Sequence, residues 1–97
     1  RDYETFSGLA LEKYFRTLFI EQENYTRIGG FWDRRGENEI DLIAINEFDK
    51  TANIVEIKRQ KKNIDMERLR EKGIVFKITA GLNDYQIIYQ GLSMEDM

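Results

Sequence analysis

The chain contains no cysteine, no proline and no histidine. Without cysteine it has no disulfides and no thiolate metal sites, and an intracellular, cytoplasmic setting is the expectation. Without histidine there is no imidazole base, no Ser/His/Asp triad and no ordinary zinc ligand set. No Gly-rich phosphate loop of the Walker type occurs, so these residues are not themselves a P-loop NTPase core. No apolar run approaches the ~18 residues of a membrane span, and no secretory leader is visible. Chemistry in this chain must run on carboxylates, lysine, tyrosine or serine. The hard oxygen donors among these point to magnesium or manganese.

The 97 residues suffice for one domain with one core, and we expect residues 1–97 to form a single unit. The formal charge of −3 argues against a dedicated nucleic-acid clamp. Basic residues are nevertheless clustered. Lys58, Arg59, Lys61 and Lys62 follow one another closely, and Arg34 and Arg35 form a basic turn. These groups are either a phosphate-binding surface or ordinary solvated charge.

Six elements are legible. Apolar residues recur at helical spacing from Tyr3 to about Gln22, through Phe6, Leu9 or Ala10, Leu11, Tyr14, Phe15, Leu18 and Phe19. Tyr25 to Asp33 reads as a first strand, interrupted by Gly29 and Gly30, a pair that suggests a bulge or a close backbone approach. Glu39 to Asn46 and Ala52 to Lys58 read as strands apolar on both faces, as interior strands are. Short links favour an antiparallel meander of these three strands. A second helix is expected from Met66 to about Thr79, with Asp65 as N-cap and Gly81 ending it. Gly73 inside it costs about 1 kcal/mol against alanine and makes a break conceivable. Tyr85 to Leu92 is the last strand, and its helical crossover allows it to run parallel to an earlier one. The predicted fold class is α/β: an α-β-β-β-α-β core with a mixed four-stranded sheet flanked by helices.

Asp41, Glu56 and Lys58 stand out because charged groups on interior strands need partners. Alternation puts Glu56 and Lys58 on one face, and places Asp41 with Glu39 and Ile43. If the two strands pair with these faces together, Asp41 and Glu56 stand within about 5–8 Å. That would suit two carboxylates sharing one divalent cation, with Lys58 close enough to reach a bound water or phosphate. A cross-strand ion-pair set on a solvated face is the alternative. Glu12 sits at the edge of the first helix's apolar face, where it either joins this set or pairs with Arg16 along the helix.

A helix glutamate, a strand aspartate and the run Glu56, Ile57, Lys58 in this element order resemble the core of the PD-(D/E)XK nuclease superfamily, which includes restriction endonucleases and archaeal Holliday-junction resolvases. A closer resemblance covers nearly the whole chain. The stretch from Gly30 to Ala44, with Trp32, Asp33, Arg34, Arg35 and then Glu39, Ile40, Asp41, is similar to the nuclease-like C-terminal domain of archaeal-type AAA+ ATPases, as is the end from Leu92 to Met97. Ile40 stands where the idealised motif has proline. The resemblance implies a restriction-endonuclease-like fold and an N-terminal ATPase half in the same parent chain. The start at Arg1, without an initiator methionine, fits that expectation.

The resemblance further implies Asp41 and Glu56 as ligands of Mg²⁺ or Mn²⁺, with the Ile57 carbonyl as a further donor. Lys58 would orient water and stabilise charge, and Glu12 would be an auxiliary acid. Arg34, Arg35, Arg59, Lys61 and Lys62 would contact DNA. The expected function is metal-dependent hydrolysis of DNA phosphodiesters. The alternative is an inactive module of the same fold that regulates the ATPase half or mediates its binding to partners or DNA. Assembly as a homodimer is left open, and no membrane partner is expected.

Overall fold

The computed structural model describes residues 7–97. The helix expected from Tyr3 is seen from Gly8 to Glu21 (α1), under an N-cap in which the Ser7 hydroxyl accepts the Ala10 N–H. The part expected over Tyr3 to Phe6 lies outside the described residues. Leu11, Phe15 and Phe19 are buried, four residues apart, so one stripe of α1 faces the sheet.

Three strands follow: β1 (Arg27–Trp32), β2 (Glu39–Asn46) and β3 (Thr51–Ile57). They pair as the expected antiparallel meander. Helix α2 (Met66–Thr79) crosses over, and β4 (Gln86–Leu92) returns parallel to β3. The sheet order is β1-β2-β3-β4, so the two strands that read as interior are interior. The α/β fold class and the α-β-β-β-α-β order expected from the sequence are thus those observed.

The sheet divides the apolar residues into two layers. Leu42, Ala44, Val55 and Ile57 pack with the α1 stripe. Ile43, Ile45, Ala52 and Ile54 pack with Leu69 and Phe76 of α2. Opposed residues share a layer, Leu42 with Val55 and Ile43 with Ile54, as an antiparallel register requires.

Helix α2 is continuous through Gly73. The glycine is buried, and a Cβ there would meet the Tyr89 ring at 2.5 Å. The missing methyl admits an aromatic ring from β4, so its role is close packing rather than a break. The guanidinium of Arg70 lies 5.6 Å from the centroid of the same ring. The helix ends in a Schellman motif: Leu82 N–H bonds the Lys77 carbonyl, Gly81 N–H bonds Ile78, and Gly81 has φ +70°. Leu82 is buried in the α2 layer with Phe76, which anchors the turn into β4. Ala80, the C-cap, is exposed.

Candidate functional site

The β1–β2 register shifts by one residue. Gly29 faces Ile43 and Phe31 faces Ile40, so Asp41 and Leu42 stand opposite the single Gly30. This is a β-bulge, and it follows from Gly30, where a Cβ would come within 3.3 Å of the Ile40 carbonyl oxygen. Strict alternation therefore fails here. Ile40 joins Ile43 in the α2 layer while Leu42 lies in the α1 layer. Asp41 does not share a face with Ile43 in the simple way that spacing suggests; it sits where the strand turns over.

The ladder of β2 with β3 reaches Leu42 and Val55 and stops. Beyond it the Lys58 N–H donates to Leu92 in β4, so the Ile57 N–H points the other way, toward β2. The Asp41 carboxylate meets it: Oδ2 accepts the Ile57 N–H at 2.9 Å. The trans peptide directs the Ile57 carbonyl to the same side. Asp41 and the Ile57 peptide thus converge at the gap between the two strands.

Glu56 is turned to the other layer. It is buried, at 6% exposure. Its Oε2 accepts the N–H of Asp65, the N-cap of α2, at 2.9 Å, and its Oε1 lies 4.0 Å from Lys72 Nζ. The chain is brought there by a second glycine. Glu56 is paired with Gly91 of β4, and Ile64 lies over Gly91 in space that a Cβ would occupy, at 2.6 Å from Ile64 Cγ2. Asp65 follows directly and reaches Glu56.

Glu12 of α1 borders a recess of about 220 Å³ together with Glu39, Ile40, Asp41 and the β1 residues Gly30, Phe31 and Trp32. Burial, and next the Asp41 carboxylate, push the Glu12 carboxyl above its ordinary range. Arg16 opposes this, Glu39 adds to it and Lys58 opposes it. The sequence left Glu12 between the acid set and a pairing with Arg16, and both neighbours act on it.

The structure therefore gathers Glu12, Asp41 and Lys58 within electrostatic reach on the α1 side and ties Glu56 to α2. Lys58 is exposed. Arg59, Lys61 and Lys62 are also exposed, the last two in a 3-10 turn over Lys61–Asn63. Arg34 and Arg35 lie exposed on the β1–β2 turn. That turn is braced by Asp33, whose carboxylate accepts the Glu37 N–H at 2.9 Å and the Asn38 side-chain amide at 2.7 Å. The Asn38 bond first, and then backbone N–H groups, hold the Asp33 carboxyl below its ordinary range.

Lys72 is a site residue that sequence reasoning missed. The signal was present: Lys72 lies three residues after Leu69 and four before Phe76, on the buried stripe. Glu39 was seen on the strand but not as a wall of the recess.

The donors suit a hard cation in type, being carboxylate and carbonyl oxygens. Among the described residues, however, no three acids converge into a cation site. Asp41 Oδ2 holds the Ile57 N–H, and Glu56 Oε2 holds the Asp65 N–H.

No helix of the described residues is long and apolar enough to cross a membrane. No solved structure gives a significant match to the chain. The chain is 34% identical over 96 residues to an uncharacterized protein of Methanocaldococcus jannaschii. That alignment covers 91% of this chain and 21% of the relative, so the chain spans about a fifth of the relative's length. Residues 1–72 match the DUF234 family, described as archaea bacterial proteins of unknown function. With most of its length matched, from α1 through the Asp41 and Glu56 strands into α2, the chain belongs to the DUF234 family.

Proposed function

We propose that this domain is a nuclease-fold unit whose β2–β3 gap takes Mg²⁺ or Mn²⁺ and hydrolyses DNA phosphodiesters. The observation that carries the reading is the convergence of Asp41 with the Ile57 peptide where the β2–β3 ladder ends, beside Lys58 and within reach of Glu12. A bound divalent cation would supply a hydroxide nucleophile near neutral pH and neutralise the phosphate. Asp41 and the Ile57 carbonyl would hold it, and Glu56 would join them. Lys58 is exposed, and its ammonium suits a phosphate oxygen or an attacking water. Glu12, with its raised affinity for a proton, would position a water against Asp41. Lys61 and Lys62 would meet the phosphates that flank the reacting one. The larger parent, its ATPase half and any second copy are partners in this reading.

The test is calorimetric titration of Mg²⁺ and Mn²⁺ into the wild type and Asp41→Asn, with cleavage assays on duplex, single-stranded and branched DNA. Metal binding lost in the variant, with metal-dependent cleavage by the wild type, is the expected outcome. Absence of both in the wild type and in its parent protein would end the enzymatic reading.

One observation favours a second reading, a non-catalytic module of the same fold. Asp41 and Glu56 each accept a backbone N–H that would otherwise lack a partner. Both acids therefore have a structural reason to be present without catalysis. A parent protein that binds DNA or its partners normally but cleaves nothing would establish this reading.

A further inference from the structure

Trp32 is the only tryptophan of the chain and is 72% exposed. It borders the recess that holds Glu12 and Asp41. Its backbone is fixed from three directions. Trp32 is paired with Glu39 across β1–β2, Phe31 before it packs edge-on against Phe76 with centroids 5.2 Å apart, and the Asp33-braced turn follows it. An indole carries more apolar surface than almost any side chain, and leaving it in water on a rigid strand forgoes that burial. Arg34 and Arg35 stand exposed immediately beyond.

We propose that Trp32 is a stacking platform for an unpaired nucleobase, so that the nucleic acid engaged by this edge is single-stranded or locally unpaired at the recess. The proposal rests on the reading of the domain as one that acts on nucleic acid. A flat π face stacks on any base, and neighbouring guanidinium groups hold the phosphates on either side of it. A base inside a duplex already has both faces covered and reaches such a ring only if it is flipped out. The geometry singles out Trp32 among the exposed apolar residues. Phe48 is more exposed, at 90%, but its loop, Glu47 to Lys50, carries no guanidinium to hold a flanking phosphate. Ile74 and Ile78 on α2 are exposed but offer no π face.

Because Trp32 is the sole tryptophan, the emission of the 97-residue chain reports on it directly. The experiment titrates the chain, with and without Mg²⁺, using a labelled oligothymidylate of about 15 nucleotides and a blunt duplex of equal length. Label anisotropy gives affinity and tryptophan emission gives stacking. The single strand is expected to quench the emission, and Trp32→Ala to weaken single-strand binding roughly 5- to 100-fold. Duplex binding should change far less, and Trp32→Phe should retain part of the single-strand affinity. Circular dichroism checks that each variant folds. Binding with unchanged emission, or equal loss for both nucleic acids, overturns the role of Trp32 and leaves the nucleic-acid reading standing. No binding of either form by folded wild type overturns the role of Trp32, and points to a protein surface as what covers the indole.

Discussion

Asp41 Oδ2 accepts the Ile57 N–H at 2.9 Å, in the place where a β2 carbonyl would stand had the ladder continued. One carboxylate thus completes the sheet and faces the candidate site. Asp41→Ala should cost about 1–3 kcal/mol, the range for leaving a part-buried donor without its partner. Asp41→Asn keeps an acceptor and should stay within about 1 kcal/mol of wild type. Urea denaturation with and without Mg²⁺ separates the two roles. The wild type should be stabilised by metal, while both variants should show no gain. A metal response that survives in Asp41→Asn would remove Asp41 from the site.

Glu56 and Lys72 form a mostly buried pair, the lysine side chain 17% exposed. Glu56→Ala should destabilise by about 2–3 kcal/mol, because it orphans the Asp65 N–H and leaves an ammonium short of a partner. Glu56→Gln keeps the acceptor for Asp65 and should lose less. Combining Glu56→Gln with Lys72→Met removes both charges together and should recover stability toward wild type. If Glu56→Ala is as stable as wild type in urea, the contact to α2 carries no weight.

Lys58 is exposed, so Lys58→Ala should leave the fold and the metal response intact. In the parent protein it should lower DNA hydrolysis on the order of a hundredfold, as loss of a positioned electrostatic donor does. Equal cleavage by variant and wild type would refute the role given to this lysine.

The raised proton affinity of Glu12 carries a pH dependence of definite sign. A carboxyl that holds its proton more tightly when folded favours the fold below the unfolded-state pKa. That contribution is lost as pH rises through the folded value. Glu12→Gln should therefore raise the melting temperature at pH 7, by ~1–3 °C after allowing for solvent screening. The gain should vanish below about pH 4. A gain that persists at low pH would mean that the charge is not its cause.

Gly73→Ala tests the packing of α2 on β4. Helix propensity alone favours alanine by about 1 kcal/mol. The Cβ at 2.5 Å from Tyr89 should reverse the sign and cost about 1–3 kcal/mol net. Pairing it with Tyr89→Ala should show strong coupling in a double-mutant cycle. An additive cycle would mean that the ring moves aside freely.

Much of this was legible in the sequence. Periodicity gave both helices and all four strands, because β2 and β3 are apolar on both faces, β1 and β4 are short apolar segments bounded by polar turns, and each helix carries one stripe. Asp65 and Gly81 marked the ends of α2 through capping chemistry that is local in sequence. The glycine pair before Phe31 marked the bulge, but not which residues of β2 would be displaced by it. That depends on a register set across two strands, so the face of Asp41 was misread. The bonds of Asp41 to Ile57 and of Glu56 to Asp65 were also out of reach. They join a side chain to a backbone group 16 and 9 residues away, for which no sequence pattern exists.

The extra residue in β2 limits how this chain can change length. A loop such as Glu47 to Lys50 could lose or gain a residue and leave the strands as they are. Removing one residue between Ile40 and Ile43 would straighten the ladder against β1. It would also take away either Asp41, and with it the acceptor of the Ile57 N–H, or Leu42 from the α1 layer. Related chains should therefore vary in length at their turns and keep the spacing of this short segment, even where its side chains differ.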